Sequence, residues 1–282
     1  MRVDGAKLVG FAVSGATGMR AVYVRHDGVV SNCVVRNSTF DASSYRVAVL
    51  VEQGTFVRSV VTNTVISGSK FLDTSGSAVR LEKGLVDSCI ITHNSSQNSY
   101  GKGVKSYHHG AAVYLAGGTL RNSLIADNYS QYHAMGVDMA GGGARVENCT
   151  IVRNYNLTAE DADSVGLELG SGRVVNSIVW GNENQSGVAN VKKASGTTMT
   201  YSCTTPEVEG SGNISSDPLF RDFSRRSCRL RASSPCVDAG DNSAVSDIAS
   251  AKDLSGHPRL HGAIVDLGCY ENQAEGVLLF IR

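Results

Sequence analysis

The chain has 282 residues, in which 26 lysines and arginines balance 26 aspartates and glutamates. A neutral chain offers no polyelectrolyte surface, so the composition does not support a role that depends on nucleic acid or on an anionic membrane. Glycine is abundant, at 31 residues, and aromatic residues make up only 6%, which suits a turn-rich β structure. The apolar run at residues 277–281 is far too short to cross a bilayer.

Residues 1–7 contain no apolar signal core, and residues 8–13 already have the pattern of a structural repeat. The chain is therefore expected to begin inside a repeat array. An uncovered first repeat would expose unpaired backbone groups and apolar interior. We therefore expect missing sequence or another chain to cover this end, and we do not infer localisation from the absent leader.

Cysteine and serine alternate in a column that recurs along the chain. Subtracting neighbouring positions gives steps of 26, 30, 34, 26, 28 and 26 residues between Cys33, Ser59, Cys89, Ser123, Cys149, Ser177 and Cys203. Each of the first six has an apolar residue three positions before it and another two positions after it, and an asparagine four or five positions after it. The apolar residues are Val30, Phe56, Val86, Leu120, Val146 and Val174, then Val35, Val61, Ile91, Ile125, Ile151 and Val179; the asparagines are Asn37, Asn63, Asn94, Asn128, Asn154 and Asn182. This period is typical of stacked supersecondary units, and the asparagines are predicted to form a side-chain hydrogen-bond ladder.

A second strand precedes each column residue by ten to twelve positions, as an alternating apolar pair such as Val22 and Val24. A glycine stands between the two strands of every unit, where the chain must bend. Units of this length are too short for a helical crossover at every turn. Residues 1–199 are therefore predicted to form an all-β, parallel β-helix of about seven to eight turns. The apolar residues directly after the column leave open which face points inward.

The column cysteines are predicted to be free thiols. Strands of a parallel sheet lie about 4.8 Å apart, so cysteines two turns apart have Cα atoms about 9 to 10 Å from each other. A disulfide requires less than about 7 Å. Cys33, Cys89 and Cys149 are then small apolar fillers that match serine in size. The alternative, a catalytic thiol, would require exposure and a nearby base.

Residues 200–282 are predicted to form an irregular C-terminal cap, because all four prolines and several closely spaced turn signals fall there. Cys228, Cys236 and Cys269 lie outside the column. If the protein is exported, one disulfide can form among them, and the sequence leaves open which of the three pairs it is.

Four phrases of this region carry a resemblance: residues 217–220, 234–240, 253–259 and 265–271. In this order they resemble the C-terminal region of bacterial secreted or surface right-handed parallel β-helix repeat proteins, similar to polymorphic-outer-membrane-protein-like proteins. The upstream turns resemble the pectate-lyase-like superfamily. The resemblance implies a right-handed helix, export, and an extracellular or bacterial cell-surface address, but it implies no single activity. The chain departs from the pattern by lacking an export signal and a recognisable anchor after Glu271.

Three adjacent turns carry tyrosines and histidines after their asparagines, and stacking would bring these together on one flank. Tyrosine faces suit sugar rings, so this flank is predicted to contact a glycan. The alternative is that these side chains pack the loops against the solenoid. The candidate ligand-binding residues are Tyr100, Tyr107, His108, Tyr129 and Tyr155.

An enzyme would use the same flank to cleave an acidic polysaccharide, as a lyase or a glycoside hydrolase. Lys105 or His133 would be the base, Tyr132 or His109 the acid, and Arg153 would neutralise the substrate carboxylate. Glu160, Asp161 and Asp163 offer oxygen ligands for calcium, or they are simply solvated; no other cofactor is predicted. Since the carboxylates are scattered, we favour an adhesin-type scaffold without catalysis.

Overall fold

The computed structural model describes residues 1–41, 47–68, 77–98, 112–130, 134–156 and 165–273. In these ranges the chain winds through four sheets, here called A, B, C and D, in that order in each turn. Each strand pairs in parallel with the strand one turn later, so the all-β, parallel β-helix prediction is confirmed. Six described turns contribute to all four sheets, slightly fewer than the turns predicted, because the first and last contribute parallel strands to only three.

The strands are short, and the described ones are as follows. Sheet A contains Arg2–Asp4, Arg20–Arg25, Val47–Val51, Val79–Leu81, Val113–Leu115, Val137–Met139, Leu167–Leu169 and Val191–Lys193. Sheet B contains Lys7–Val9, Gly28–Ser31, Gly54–Val57, Leu85–Asp87, Thr119–Arg121, Arg145–Glu147, Arg173–Val175 and Thr198–Thr200. Sheet C contains Ala12–Ser14, Val34–Arg36, Val60–Thr62, Ile90–Thr92, Leu124–Ala126, Thr150–Val152, Ile178–Trp180 and Cys203–Thr204. Sheet D contains Thr39–Asp41, Val65–Gly68, Ser95–Asn98, Tyr129–Ser130, Tyr155–Asn156 and Glu183–Asn184, with Gly187–Val188 antiparallel at its edge.

The apolar pattern of the repeat forms the core inside the coil. The alternating pair of each turn, from Val22 and Val24 to Leu167 and Leu169, is fully buried in sheet A. The apolar residues before the column are buried in sheet B, and those after it are buried in sheet C. The segment around each column residue therefore forms two strands, one in sheet B and one in sheet C, and the column residue lies at the corner between them.

The cysteine and serine column is a hydrogen-bonded stack. The amides of Cys33, Cys89 and Cys149 donate to the hydroxyl of the serine one turn later, at 3.1, 3.0 and 3.2 Å. The three thiols are free, as predicted, and buried. Burial raises the pKa of the Cys89 and Cys149 thiols to about 12, which removes the thiolate that a catalytic role needs.

The last column position is Ser202, so the prediction that Cys203 belongs to the column is wrong by one residue. Ile178 pairs with Cys203, which puts Ser202 level with Ser177, and the Ser177 amide donates to the Ser202 hydroxyl at 3.1 Å. Successive residues of a strand point to opposite faces. Cys203 therefore faces outward, toward the cap. Serine and cysteine are adjacent here, so both fit the repeat spacing.

A second ladder fills the corner between sheets C and D, and it contains four of the six predicted asparagines. The amides of Asn94, Asn128 and Asn154 each donate to the side-chain oxygen of the asparagine one turn later, at 3.0 to 3.1 Å. Asn37 and Asn63 lie outside this buried ladder: both are exposed and left-handed, with φ of 50° and 51°, and Asn63 Nδ2 donates to Asn37 Oδ1 at 3.5 Å. The ladder positions of their turns are the next residues, Ser38 and Thr64.

The inter-strand glycines allow close approach of consecutive turns. Gly84 has a φ of 90°, and a Cβ there would overlap the carbonyl oxygen of Gly54, one turn earlier. Only glycine tolerates this combination of backbone conformation and contact without strain.

The cap folds back over the outer face of sheet C, beyond the last solenoid strand, Cys203–Thr204. It contains an antiparallel hairpin, Phe220–Asp222 with Ser227–Leu230, and two 3-10 helices, Phe223–Arg225 and Asn242–Ala244. Apolar residues that follow the column, such as Leu124 and Ile178, point outward and are buried by the cap. This contact explains why both faces of sheet C are apolar. Trp180 is partly buried against the same cluster.

The cap has an ionic centre of its own. Arg259 Nη2 lies 3.2 Å from Glu271 Oε2, and both side chains are fully buried. Glu271 also accepts hydrogen bonds from the amides of His261 and Asp266. Burial raises the pKa of Glu271 to about 7, and the charge of Arg259 opposes this shift. No helix in the described part of the chain is long and apolar enough to span a membrane.

Candidate functional site

The structure describes three of the residues predicted to form a site: Tyr129, Tyr155 and Arg153. The segments after Asn98, Ser130 and Asn156, which connect sheet D to sheet A in consecutive turns, carry the others. The following lie outside the described residues: Tyr100, Lys105, Tyr107, His108, His109, Tyr132, His133, Glu160, Asp161 and Asp163. Their predicted roles stay predictions.

Tyr129 and Tyr155 form an aromatic pair on sheet D. They are register partners in adjacent turns, and their ring centroids are 5.4 Å apart at an interplanar angle of 47°. The residue Tyr155 is 38% exposed. Stacking thus brings two of the predicted ligand-binding residues together, at the base of the predicted flank.

Arg153 holds the cap against the solenoid. Its Nε and Nη2 donate to the two carboxylate oxygens of Asp127, at 2.9 and 3.1 Å. Its guanidinium also lies 4.8 Å from the ring centroid of Phe223 and donates to the Cys228 sulfur at 3.7 Å. The predicted carboxylate clamp thus already binds a carboxylate of its own chain; a role toward substrate stays a prediction.

The described residues form a groove elsewhere, between the outer face of sheet B and cap residues 241–256. It consists of two adjoining cavities of about 460 and 440 Å³. Both are lined by Arg121 and Glu147 on sheet B and by Ala244 and Ser246 on the cap, which makes them parts of one groove. Because consecutive turns pair in parallel register, each turn contributes one residue at every equivalent position of the groove floor.

Charges along the floor alternate and neutralise one another. Asp87, Arg121 and Glu147 are register partners in three consecutive turns. Arg121 Nη2 lies 3.0 Å from Asp87, and Arg173 Nη2 lies 3.3 Å from Glu147. Among the described lining residues, each sign of charge occurs five times: Arg58, Arg121, Arg145, Arg173 and Lys252 against Asp87, Glu147, Asp241, Asp247 and Asp253.

Two asparagines on the groove wall have unsatisfied side-chain atoms. Asn122 and Asn148 occupy the left-handed corner position of adjacent turns, with φ of 48° and 52°, and their side chains are buried. Within the described part of the chain, Asn122 Oδ1 and Asn148 Nδ2 have no hydrogen-bond partner. Such groups are rare in folded proteins, because each costs free energy. Both residues line the same cavity, and the unsatisfied acceptor and donor are themselves buried beside it.

Sequence reasoning did not find this groove. The available signal was the polar residue directly before each column residue, together with charged residues two positions before it in three consecutive units. That pattern indicates an outer face, but not which segment covers it.

In the described ranges, no group of three histidine, cysteine, aspartate or glutamate side chains is arranged to hold a metal ion. No protein-family model matches the chain, and no curated protein matches it either. The function must therefore be argued from the geometry.

Proposed function

We propose that this chain is a rigid β-helix module that binds an extended, hydroxyl-rich glycan in the sheet B groove, without catalysis. The observation that carries the proposal is the free pair of Asn122 Oδ1 and Asn148 Nδ2 beside the larger cavity. A sugar hydroxyl both donates and accepts hydrogen bonds, so one or two hydroxyls would satisfy both atoms once the two side chains turn toward the cavity. Binding would thus offset the free energy that the two unsatisfied groups cost the unliganded protein.

The repeat also suits an extended chain. Equivalent floor residues recur once per turn, roughly every 4.8 Å, which is similar to the advance of one sugar ring in an extended glycan. Because the lining carries equal numbers of positive and negative side chains, it offers no net field that would favour an acidic polymer. This balance supports a neutral glycan over the acidic substrate that a lyase would need.

We also propose that the module belongs to an exported bacterial surface or secreted protein of adhesin type. Support comes from the cap phrases, which resemble those of surface β-helix repeat proteins, and from the turns, which resemble those of the pectate-lyase-like superfamily. The Tyr129 and Tyr155 pair supports a second glycan contact on the sheet D side, because tyrosine rings present flat apolar faces with a polar tip.

The test is a glycan array that includes neutral and acidic polymers, followed by calorimetry on the best ligand. Asn148→Asp keeps the size of the side chain but removes the free donor, and the loss of one hydrogen bond should weaken binding by about tenfold. Arg36→Ala is a surface control. Arg36 is exposed on an outer face, as Arg145 is, but only Arg145 lines the groove.

Binding of a neutral glycan that Asn148→Asp weakens and Arg36→Ala leaves unchanged would support the proposal. Equal affinity of wild type and Asn148→Asp for every ligand would contradict it. Release of unsaturated products from an acidic polysaccharide, followed by ultraviolet absorbance, would favour the lyase alternative instead.

A further inference from the structure

The hairpin of the cap concentrates positive charge. Residues 221–231 contain five arginines and one aspartate, which gives this segment a net charge of +4 although the whole chain is neutral. The arginines are Arg221, Arg225, Arg226, Arg229 and Arg231. The neutral composition did not support a role at an anionic membrane, but net charge averages over the whole surface and does not report a local patch.

Three of these arginines share the outward side of the hairpin. Phe220 pairs with Leu230, and both are buried in the cluster that joins the cap to sheet C. Because successive residues of a strand point to opposite faces, Arg221, Arg229 and Arg231 point away from sheet C. Arg221 Nε donates to the Leu230 carbonyl at 3.1 Å, and Arg231 Nη2 donates to the Arg221 carbonyl at 3.2 Å. The three side chains thus lie together, and we call them the basic face.

The charge of the basic face is not neutralised by the protein. Among the described residues, none of its three arginines forms an ion pair, whereas the other two arginines of the hairpin pair with Asp222 and Asp127. Arg229 lies 4.9 Å from the ring centroid of Tyr270 and donates to the Ser255 hydroxyl. Like charges that face each other across two strands are destabilising. An anionic partner would offset this repulsion.

The described residues end beside the basic face. Asn272 Nδ2 donates to the Leu230 carbonyl at 2.9 Å, and the same oxygen accepts from Arg221. Residues 277–281 lie outside the described residues, but all five are apolar in sequence. Five residues span at most roughly 18 Å, so the apolar run begins within that distance of Asn272. A basic face and an apolar run therefore belong to the same part of the cap.

We propose that the basic face docks the cap onto an anionic lipid surface, and that residues 277–281 add apolar contact with the lipid. Guanidinium groups bind phosphate oxygens in a bidentate manner. Charge alone or a short apolar segment alone binds a membrane weakly, whereas two such signals together give stable attachment. A sulfated glycan or a nucleic acid would use the arginines but not the apolar run, which favours lipid. The proposal does not depend on glycan binding in the sheet B groove.

The test is co-sedimentation of the whole chain with vesicles. One set contains phosphatidylglycerol and phosphatidylcholine in equal parts, and the other contains phosphatidylcholine alone. We expect stronger binding to the anionic vesicles, and release by about 0.5 M sodium chloride because salt screens exposed charges. Replacing Arg221, Arg229 and Arg231 by glutamine should weaken this binding by about 100-fold, since each arginine near an anionic surface contributes roughly fivefold. Removal of residues 274–282 should weaken it as well.

The matched control replaces Arg36, Lys83 and Lys193, three exposed cations on other surfaces, by glutamine. This control removes the same charge and should leave vesicle binding unchanged. Thermal unfolding followed by circular dichroism checks that the basic-face variant folds, and it should melt close to the wild type. If it melts early, Arg231→Gln alone should still weaken binding by about fivefold, because the side-chain contact of Arg231 is exposed.

Equal binding of the wild type and the folded basic-face variant to anionic vesicles would overturn the proposal. Absence of vesicle binding by the wild type would overturn it too. Binding to heparin or duplex DNA without binding to vesicles would instead assign the basic face to a soluble polyanion. Asn148→Asp, the groove variant, should bind vesicles as the wild type does, so failure of one proposal is distinguishable from failure of the other.

Discussion

The asparagine ladder provides the sharpest test of the fold, through Asn128→Ala. The Asn128 side chain is fully buried and makes four hydrogen bonds. Its Oδ1 accepts from the backbone and side-chain amides of Asn94, both at 3.0 Å. Its Nδ2 donates to the Ile91 carbonyl and to Asn154 Oδ1, both at 2.9 Å.

Alanine would leave three buried groups without these partners: two donors of Asn94 and the carbonyl of Ile91. The Asn154 oxygen would still accept from the Asn128 backbone amide, at 3.1 Å. Each unsatisfied buried group costs about 1 to 3 kcal/mol, so the free energy of unfolding should fall by about 3 to 9 kcal/mol. This is a large share of the roughly 5 to 15 kcal/mol that holds a typical domain together.

Urea unfolding followed by circular dichroism would measure the loss. Asn128→Ser is an intermediate variant, because Ser38 occupies the equivalent position and its hydroxyl accepts from the Ala16 amide at 3.2 Å. Asn63→Ala is the control, since Asn63 is exposed, and it should cost about 1 kcal/mol, mainly through its left-handed backbone. The reasoning is refuted if Asn128→Ala is no more destabilising than Asn63→Ala.

Two further predictions concern the glycine column and the cap. Gly84→Ala should destabilise the chain by about 2 to 5 kcal/mol through overlap with Gly54 and a positive φ, while Gly142→Ala, with open space around it, should be near neutral in thermal unfolding. The raised pKa of Glu271, about 7 against an ordinary 4.5, means that the folded chain binds more protons than the unfolded chain between these values. Glu271 should therefore cost up to about 3 kcal/mol of stability as pH rises from 4.5 to 7, and Glu271→Gln should flatten the slope by that amount. Equal slopes for both proteins in urea titrations at pH 4.5 and pH 7 would contradict the assignment.

The sequence predicted the repeating turn well because every turn must solve the same packing problem. It did not predict the strands of sheet D, which are two to four residues long and carry mostly polar residues outward. Such segments resemble loops in sequence. It also placed Asn37 and Asn63 in the ladder. These two follow their column residues by four positions, whereas the asparagines of the ladder follow theirs by five, and the sequence alone does not distinguish the two spacings. The structure distinguishes them by the sign of φ and by burial.

The arrangement of the candidate site was likewise predictable from the sequence only in part. Stacking brought Tyr129 and Tyr155 together as the repeat predicted, because residues at the same place in consecutive turns must be neighbours. The paired role of Arg153 was not predictable, since Asp127 is its partner only when the turns align and Phe223 only when the cap docks. Neither contact leaves a periodic trace in the sequence.

The sequence by itself determined which residues stack on one another in consecutive turns, because that depends only on position within one turn; it left open which apolar face around the column points inward. The tertiary structure alone decided where the cap lies. Its fold over sheet C buries the outward-facing Leu124 and Ile178, and its segment along sheet B encloses the groove beside Asn122 and Asn148. Those contacts join residues that share no repeat register, so only the folded chain relates one to another.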